Sequence, residues 1–290
     1  MPRLLTRFLP LLLVVLFVAW CSSSQQQKRE RGPQKVELTE LFLRQGLIAS
    51  GSLRDGELTE AARKAGRSGM NQLLYAAAPD ASIEALQWIV DHGADPAAVG
   101  APEGVPLLHK AAQKPAYARL EFFLGLRLDP LQRGPGGNSL LHAAASGGLD
   151  ERTLQLLLGK GLKLDEANGA GQLPIHLAGV KSLDVLVRAG AEVDAVDGLG
   201  RTALHQAAAE RRAELVVELL RLGASVFKTD AKGRTPLHLA ALARSEPVVD
   251  ALLAAGAPRS ARDADGQTAR DLALAPGTGT RRYRGFVDKL

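Results

Sequence analysis

The sequence predicts an all-α chain of stacked helix-turn-helix repeats, about six to seven of them with short turn fingers, and three observations carry that prediction. The stretch Gly233-Arg234-Thr235-Pro236-Leu237-His238-Leu239-Ala240, a turn entering a helix, recurs in worn form at a near-constant interval. Self-similarity at a fixed period makes each copy one unit of a stack, because a single unit cannot bury its apolar face alone. Histidines mark the interval, since His109, His142, His176, His205 and His238 stand 33, 34, 29 and 33 apart. Apolar residues make up 46% of the 290 while aromatics are only 4%, a balance that suits closely packed small-residue helices better than a β-sandwich.

The N-terminus reads as an address. Arg3 and Arg7 precede the apolar run Phe8–Trp20, and Cys21 and a polar tract follow. A charged region and then a short apolar region is the layout of a secretory signal, and the run is shorter than the roughly 20 residues of a spanning helix. Val18-Ala19-Trp20-Cys21 resembles a bacterial lipoprotein box, in which the cysteine is acylated, with Trp20 where that family carries Gly, Ala or Ser. Lipidation of Cys21, an uncleaved signal anchor and ordinary signal-peptide cleavage are the outcomes this layout allows. Residues 1–21 are therefore expected to be a signal peptide or membrane anchor. The expected location is the cell envelope if the source is bacterial, and otherwise secreted or membrane-anchored.

Residues 22–35 are polar and basic, broken by Gly32-Pro33, and read as a disordered linker. Within 36–69, Glu37–Ile48 has the apolar spacing of a short amphipathic helix, and Leu58–Ala65 forms another that ends at Gly66. Together they suit a helical N-terminal cap, because a stack exposes an apolar face at each end.

The repeats occupy 70–275. Steps of 34 upstream of His109 and 33 downstream of His238 land on Tyr75 and Asp271, so seven copies share one ruler and the outer two lack its histidine. Glycine stands five residues before the ruler position at 104, 137, 171, 200, 233 and 266, where it supplies a turn conformation other residues resist. Thr202, Thr235 or Ser139 then caps a short Ala-rich helix, and Pro174 and Pro236 fit a first turn that needs no amide donor. A second helix follows, as in Leu215–Leu220, and stops at Gly93-Ala94, Gly223-Ala224 or Gly256-Ala257. Later loops open on Asp197, Asp230 and Asp263. Arg127-Leu128 replaces the Gly-Ala stop, which leaves that boundary open. The step from His176 to His205 is four short, which predicts loss of about one helical turn from the fourth copy.

This pattern resembles the ankyrin repeat, through its Thr-Pro-Leu-His signature and its period, over about 70–275. The resemblance implies that each ruler histidine bonds the cap hydroxyl and neighbouring backbone, pinning adjacent repeats; Thr202 with His205, Thr235 with His238 and Ser139 with His142 fit that role. It also implies that partners are read by residues beside the turn glycine and by the middle of the first helix. These are Glu103, Gln113, Lys114, Asn138, Gln172, Leu199, Arg201, Glu210, Lys232, Arg234 and Leu242. Of them, Arg201, Lys232 and Arg234 are expected to serve binding without being needed by the fold. They mix charge signs and include apolar side chains, which suits a protein partner.

Chemistry is weakly represented. Histidines one repeat apart cannot share an ion whose nitrogen bonds are near 2 Å long, so no metal is expected. His92, beside Gly93, reads as a charge at a helix C-terminus. No phosphate loop, His-Glu-x-x-His or Gly-x-Ser-x-Gly occurs, and Gly134-Pro135-Gly136-Gly137 falls in a repeat turn. One cysteine excludes an internal disulfide and a Cys-based zinc site. No enzyme activity, cofactor or small-molecule substrate is implied. The net charge of +5 comes from the ends: residues 1–35 carry +5 and the basic C-terminal tail 276–290 carries +3, leaving the body at −3. A nucleic-acid partner is accordingly not expected. Arg281-Arg282-Tyr283-Arg284 in that tail reads as a solvated terminus or a second contact. The function expected is a non-catalytic protein-protein interaction module, exported or membrane-tethered, with an inhibitor or immunity-type protein blocking a single enzyme as the alternative.

Overall fold

A computed structural model describes residues 55–98, 104–274, 287 and 289–290. The expected signal segment with Cys21, the linker 22–35, the helix from Glu37, Glu103 and the arginines of the C-terminal tail lie outside the described residues. Twelve α-helices and no strand occur among the described residues, and none of these helices is long and apolar enough to cross a membrane. The helices are α1 (Asp55–Ala77), α2 (Ile83–Asp91), α3 (Leu107–Ala112), α4 (Tyr117–Gly125), α5 (Leu140–Gly147), α6 (Glu151–Gly159), α7 (Val180–Arg188), α8 (Ala203–Ala209), α9 (Ala213–Arg221), α10 (Pro236–Ala243), α11 (Glu246–Ala254) and α12 (Ala269–Ala273). Short 3-10 turns stand at Pro96–Ala98, Pro135–Gly137 and Pro174–Leu177.

The chain divides into two compact units, Met1–Leu74 with Trp88–Asp95 and Tyr75–Gln87 with Pro96–Leu290. In the first, Gly66 takes φ 60 and ψ −175 inside α1, so two helical pieces meet at the glycine where the sequence ends a helix. His92, just past α2, stacks on Trp88 with ring centroids 3.9 Å apart and donates its Nδ1–H to the Trp88 carbonyl at 2.8 Å. It bonds a carbonyl in the last turns of α2. The Asp95 amide donates to Asn71 Oδ1 at 2.7 Å.

The second unit is the stack. First helices α3, α5, α8, α10 and α12 form one layer and second helices α4, α6, α7, α9 and α11 the other, each packing on its counterparts in the neighbouring copies. Two fully buried alanines follow every well-formed ruler histidine: Ala111 and Ala112, Ala144 and Ala145, Ala207 and Ala208, Ala240 and Ala241. Larger side chains there would hold the layer apart, which is the physical reason for the Ala-rich composition. The second helices bury one pair per copy three residues apart, namely Leu120 and Phe123, Leu154 and Leu157, Leu183 and Leu186, Val216 and Leu219, and Val249 and Leu252, all at 0% exposure. Each such side chain contributes about 1.5–3 kcal/mol of burial.

The open boundary at Arg127 closes in the structure. Arg127 takes φ 60, the left-handed conformation of Gly93, Gly161, Gly190, Gly223 and Gly256 at the same place in the other copies. The helix stop is thus kept and its glycine is not.

In the fourth copy the first helix is reduced to the 3-10 turn Pro174–Leu177, and α7 begins three residues later. Ser182, on α7, repairs the joint. Its buried hydroxyl donates to the Ala145 carbonyl at 2.6 Å and accepts the Leu149 amide at 2.8 Å, while the Gly179 amide also reaches Ala145 O at 3.0 Å. Backbone groups at the end of α5 are satisfied here by a side chain. The fingers on either side close up. A Cβ on Gly171, at φ 73, would stand 2.6 Å from the Gly198 nitrogen, so only glycine fits.

Candidate protein-interaction surface

Each joint is built from one histidine. In His205, Nε2 faces the Arg234 carbonyl of the next copy at 3.0 Å and therefore carries the proton. Nδ1 is left as an acceptor for the Thr202 amide at 3.2 Å and the Thr202 hydroxyl at 2.9 Å. His238 repeats this with the Thr235 amide (3.1 Å), the Thr235 hydroxyl (2.8 Å) and Gln267 O (3.2 Å). His142 repeats it with Ser139 and Gln172 O, and His176 with the Leu173 amide and Arg201 O. Burial is the largest influence on His109, His142, His176 and His205 and holds each below the usual imidazole range.

The two ends of the series differ. His109 donates to Asn138 O at 3.1 Å, but its buried Nδ1 has no partner, because the cap position is Pro106, which has neither an amide hydrogen nor a hydroxyl. A Cβ on Gly134 would lie 2.8 Å from the same ring, so the next finger opens on glycine where later ones carry Asn or Asp. At the far end Asp271 replaces the histidine. It accepts the Thr268 amide and hydroxyl at 2.9 and 2.8 Å, capping α12 locally.

A second motif holds each finger. Asp197 Oδ1 accepts the Leu199 and Arg201 amides at 2.8 and 2.9 Å, and Oδ2 accepts Arg201 Nε and Nη2 at 3.0 and 2.9 Å and Gln206 Nε2 at 3.0 Å. Asp230 binds the Lys232 and Arg234 amides and the Arg234 guanidinium in the same way. Burial pushes both carboxyls up, and the arginine and amide donors outweigh it, leaving both below the usual carboxylate range. Asn168 holds its finger through backbone amides and through its own side-chain amide, which donates to Gln172 Oε1, and Asp263 accepts the amides of Asp265 and Gln267.

This corrects one expectation. Arg201 and Arg234 are needed by the fold: their guanidinium groups neutralise carboxylates whose side chains are 0% and 2% exposed. Asn138 and Gln172 are half-buried and share the Asn168 amide nitrogen at 2.8 and 3.1 Å. Lys114 is exposed and pairs with Asp80 at 2.6 Å, and exposed Glu210 pairs with Arg212 at 3.6 Å. Gln113, Leu199, Lys232 and Leu242 are exposed, with Leu199 at 57% and Leu242 at 44%. Sequence reasoning passed over Val196 and Phe227, 53% and 66% exposed on finger loops, and the buried Ser182. An apolar residue one or three places before a finger aspartate was the available signal for the first two.

Toward the C-terminus Val287 and Leu290 are buried, Lys289 Nζ pairs with Glu246 and Asp250 of α11 at 2.6 and 2.9 Å, and Arg259 Nε donates to Lys289 O at 2.8 Å. Val287, Lys289 and Leu290 are thus docked, while Arg281-Arg282-Tyr283-Arg284, for which a solvated terminus or a second contact is expected, lie outside the described residues. No group of three or more His, Cys, Asp or Glu able to hold a metal occurs among the described residues, the shortened fourth copy included.

No curated protein matches the chain. The family model described as Ankyrin repeats (3 copies) matches residues 178–263, and the histidine joints run upstream of that segment to His109, so the fold is an all-α ankyrin-repeat stack.

Proposed function

We propose that this chain is an exported or membrane-tethered binding module that holds a protein partner on the face made by its finger tips and first helices. An ankyrin stack is in general a protein-protein interaction module. The observation that carries the reading is the division of labour in the fingers. Asp, Arg, Thr and His side chains are consumed by the joints, while Leu199, Lys232 and Leu242 stand exposed with no contact that the fold requires. An exposed leucine is ordinary alone; two of them with a cation on consecutive repeats of a rigid surface are the ingredients of a recognition patch. The tether rests on the sequence, on Arg3 and Arg7, the run Phe8–Trp20 and Cys21.

The test is co-purification of the native protein from membranes with mass spectrometry of its N-terminus. An acylated Cys21 or an intact residue 1–21 in the membrane fraction supports the tether, and an intact, unmodified chain found soluble in the cytoplasm refutes it. One stoichiometric enzyme among the co-purifying proteins would make the module an inhibitor.

A further inference from the structure

The five finger tips are built alike, and this makes their side chains comparable one by one. The tip residue, six before the ruler position, is Gly136, Ala170, Leu199, Lys232 and Asp265 in successive fingers. The amides of the last four donate to the side-chain Oδ1 two residues earlier, at 2.9, 2.8, 2.8 and 3.1 Å. Carbonyls of the first four each accept an amide of the next finger, at 2.8, 3.1, 2.9 and 2.9 Å. The tips are therefore a rigid row with one side chain per repeat.

The side chains change along that row from none, to a methyl, to an apolar anchor, to a cation, to an anion. Leu199 is 57% exposed, with Val196 at 53% on the same finger. Lys232 and Asp265 are exposed and have no ion-pair partner among the described residues. Asp197 is occupied by Arg201, Asp230 by Arg234, Arg133 by Glu166 and Arg262 by the Gly266 carbonyl, whereas Lys228, exposed on the Lys232 finger, has no ion-pair partner among the described residues. Backbone order already present in the free protein lowers the entropy lost when such side chains are gripped.

We infer that the tips of the last three fingers form the recognition edge, and that it fits a protein surface offering an apolar recess, a carboxylate and a cation in that order. The pairing of Lys232 with the recess-side carboxylate and of Asp265 with the cation fixes the register and orientation of docking. A polyanion is disfavoured, because Asp265 stands on the finger next to Lys232 and would face phosphate. This inference rests on the protein-binding reading above and adds the chemistry of the partner to it.

The experiment uses the full chain in its own cells, with the photoreactive residue p-benzoylphenylalanine placed at Val196, or at Val217 on α9 as a control that is 56% exposed. Irradiation from position 196 is expected to give a protein adduct whose attached peptide contains Asp or Glu. Lys232→Glu and Asp265→Lys should each cut its yield by about tenfold, as for loss of a close charge contact. Thermal melts of both variants should match the parent, since neither side chain has a contact to lose. An adduct insensitive to both reversals, an adduct to nucleic acid, or protein adducts from Val217 alone would overturn the assignment of the edge. No protein adduct from either position would count against the protein-binding reading itself.

Discussion

Replacing Pro106 by threonine should stabilise the protein, and the size of the effect can be worked from the joints that already have the residue. Thr202 gives the His205 ring an amide donor at 3.2 Å and a hydroxyl donor at 2.9 Å, and Thr235 gives His238 the same pair at 3.1 and 2.8 Å. Pro106 gives His109 neither, and the ring is 3% exposed, so its Nδ1 is buried and unpaired. Backbone strain does not stand in the way, because Pro106 has φ −60 and ψ 153 and Thr202 has φ −81 and ψ 168. Two neutral hydrogen bonds are worth about 1 kcal/mol each, and losing the stiffness of proline costs about 0.4–1 kcal/mol. The net expectation is a gain of about 1 kcal/mol, or about 2–4 °C in Tm for a chain of this size.

Urea unfolding followed by circular dichroism measures this as a higher midpoint at unchanged slope. Pro106→Ala separates the two donors, since it supplies the amide and no hydroxyl, and should recover at most half of the gain. A Pro106→Thr protein no more stable than Pro106→Ala would show that the cap hydroxyl contributes nothing at this joint. One less stable than the parent would refute the account of the unpaired nitrogen altogether.

Four further outcomes follow from the same geometry. Arg234→Ala strands the Asp230 carboxylate with two amides and no counter-charge, and should cost about 2 kcal/mol in a urea titration. An unchanged midpoint would restore Arg234 to the residues the fold does not need. Ser182→Ala leaves the Leu149 amide buried without its acceptor and should likewise cost about 2 kcal/mol, whereas Ser182→Thr keeps the hydroxyl and should lose less. Arg127→Gly removes a side chain from a left-handed residue and should gain about 0.5 kcal/mol after the added freedom of the unfolded glycine is subtracted. Acid should weaken the stack: His109, His142, His176 and His205 are held below the ordinary imidazole value in the fold, so stability is full above about pH 6.5 and is lost as pH falls through the folded values. Each histidine adds a slope of at most about 1.4 kcal/mol per pH unit, so thermal melts from pH 7.5 to 5 should steepen together, and a flat profile would contradict the neutral ring assigned to each joint.

The period was legible because it is enforced at several points in each copy at once. Ruler histidine, turn glycine and finger aspartate all advance by the same step, and a sequence need retain only some of them to declare the unit. The lost helix of the fourth copy was equally visible, since deleting four residues from a helical segment removes about one turn. Its repair was not. Ser182 reads as a polar residue inside an amphipathic helix, and only the approach of α7 to the end of α5 shows that its hydroxyl replaces missing backbone partners.

The structural part played by two of the expected site residues has one cause. Arg201 and Arg234 sit beside a turn glycine, where partner-reading residues belong, but both also stand four residues after an aspartate. In a helix that spacing makes a weak, exposed pair; in this turn it folds the guanidinium back onto a carboxylate already held by two backbone amides. A finger therefore has two kinds of position that composition cannot tell apart. Side chains that close the turn are polar because the buried carboxylate demands it, and the tip side chain, whose backbone alone is used, has no such demand on it. That is why the tips can run from Gly136 through Ala170 and Leu199 to Lys232 and Asp265 on an unchanged backbone, and why partner specificity has room to be written there without cost to the joints.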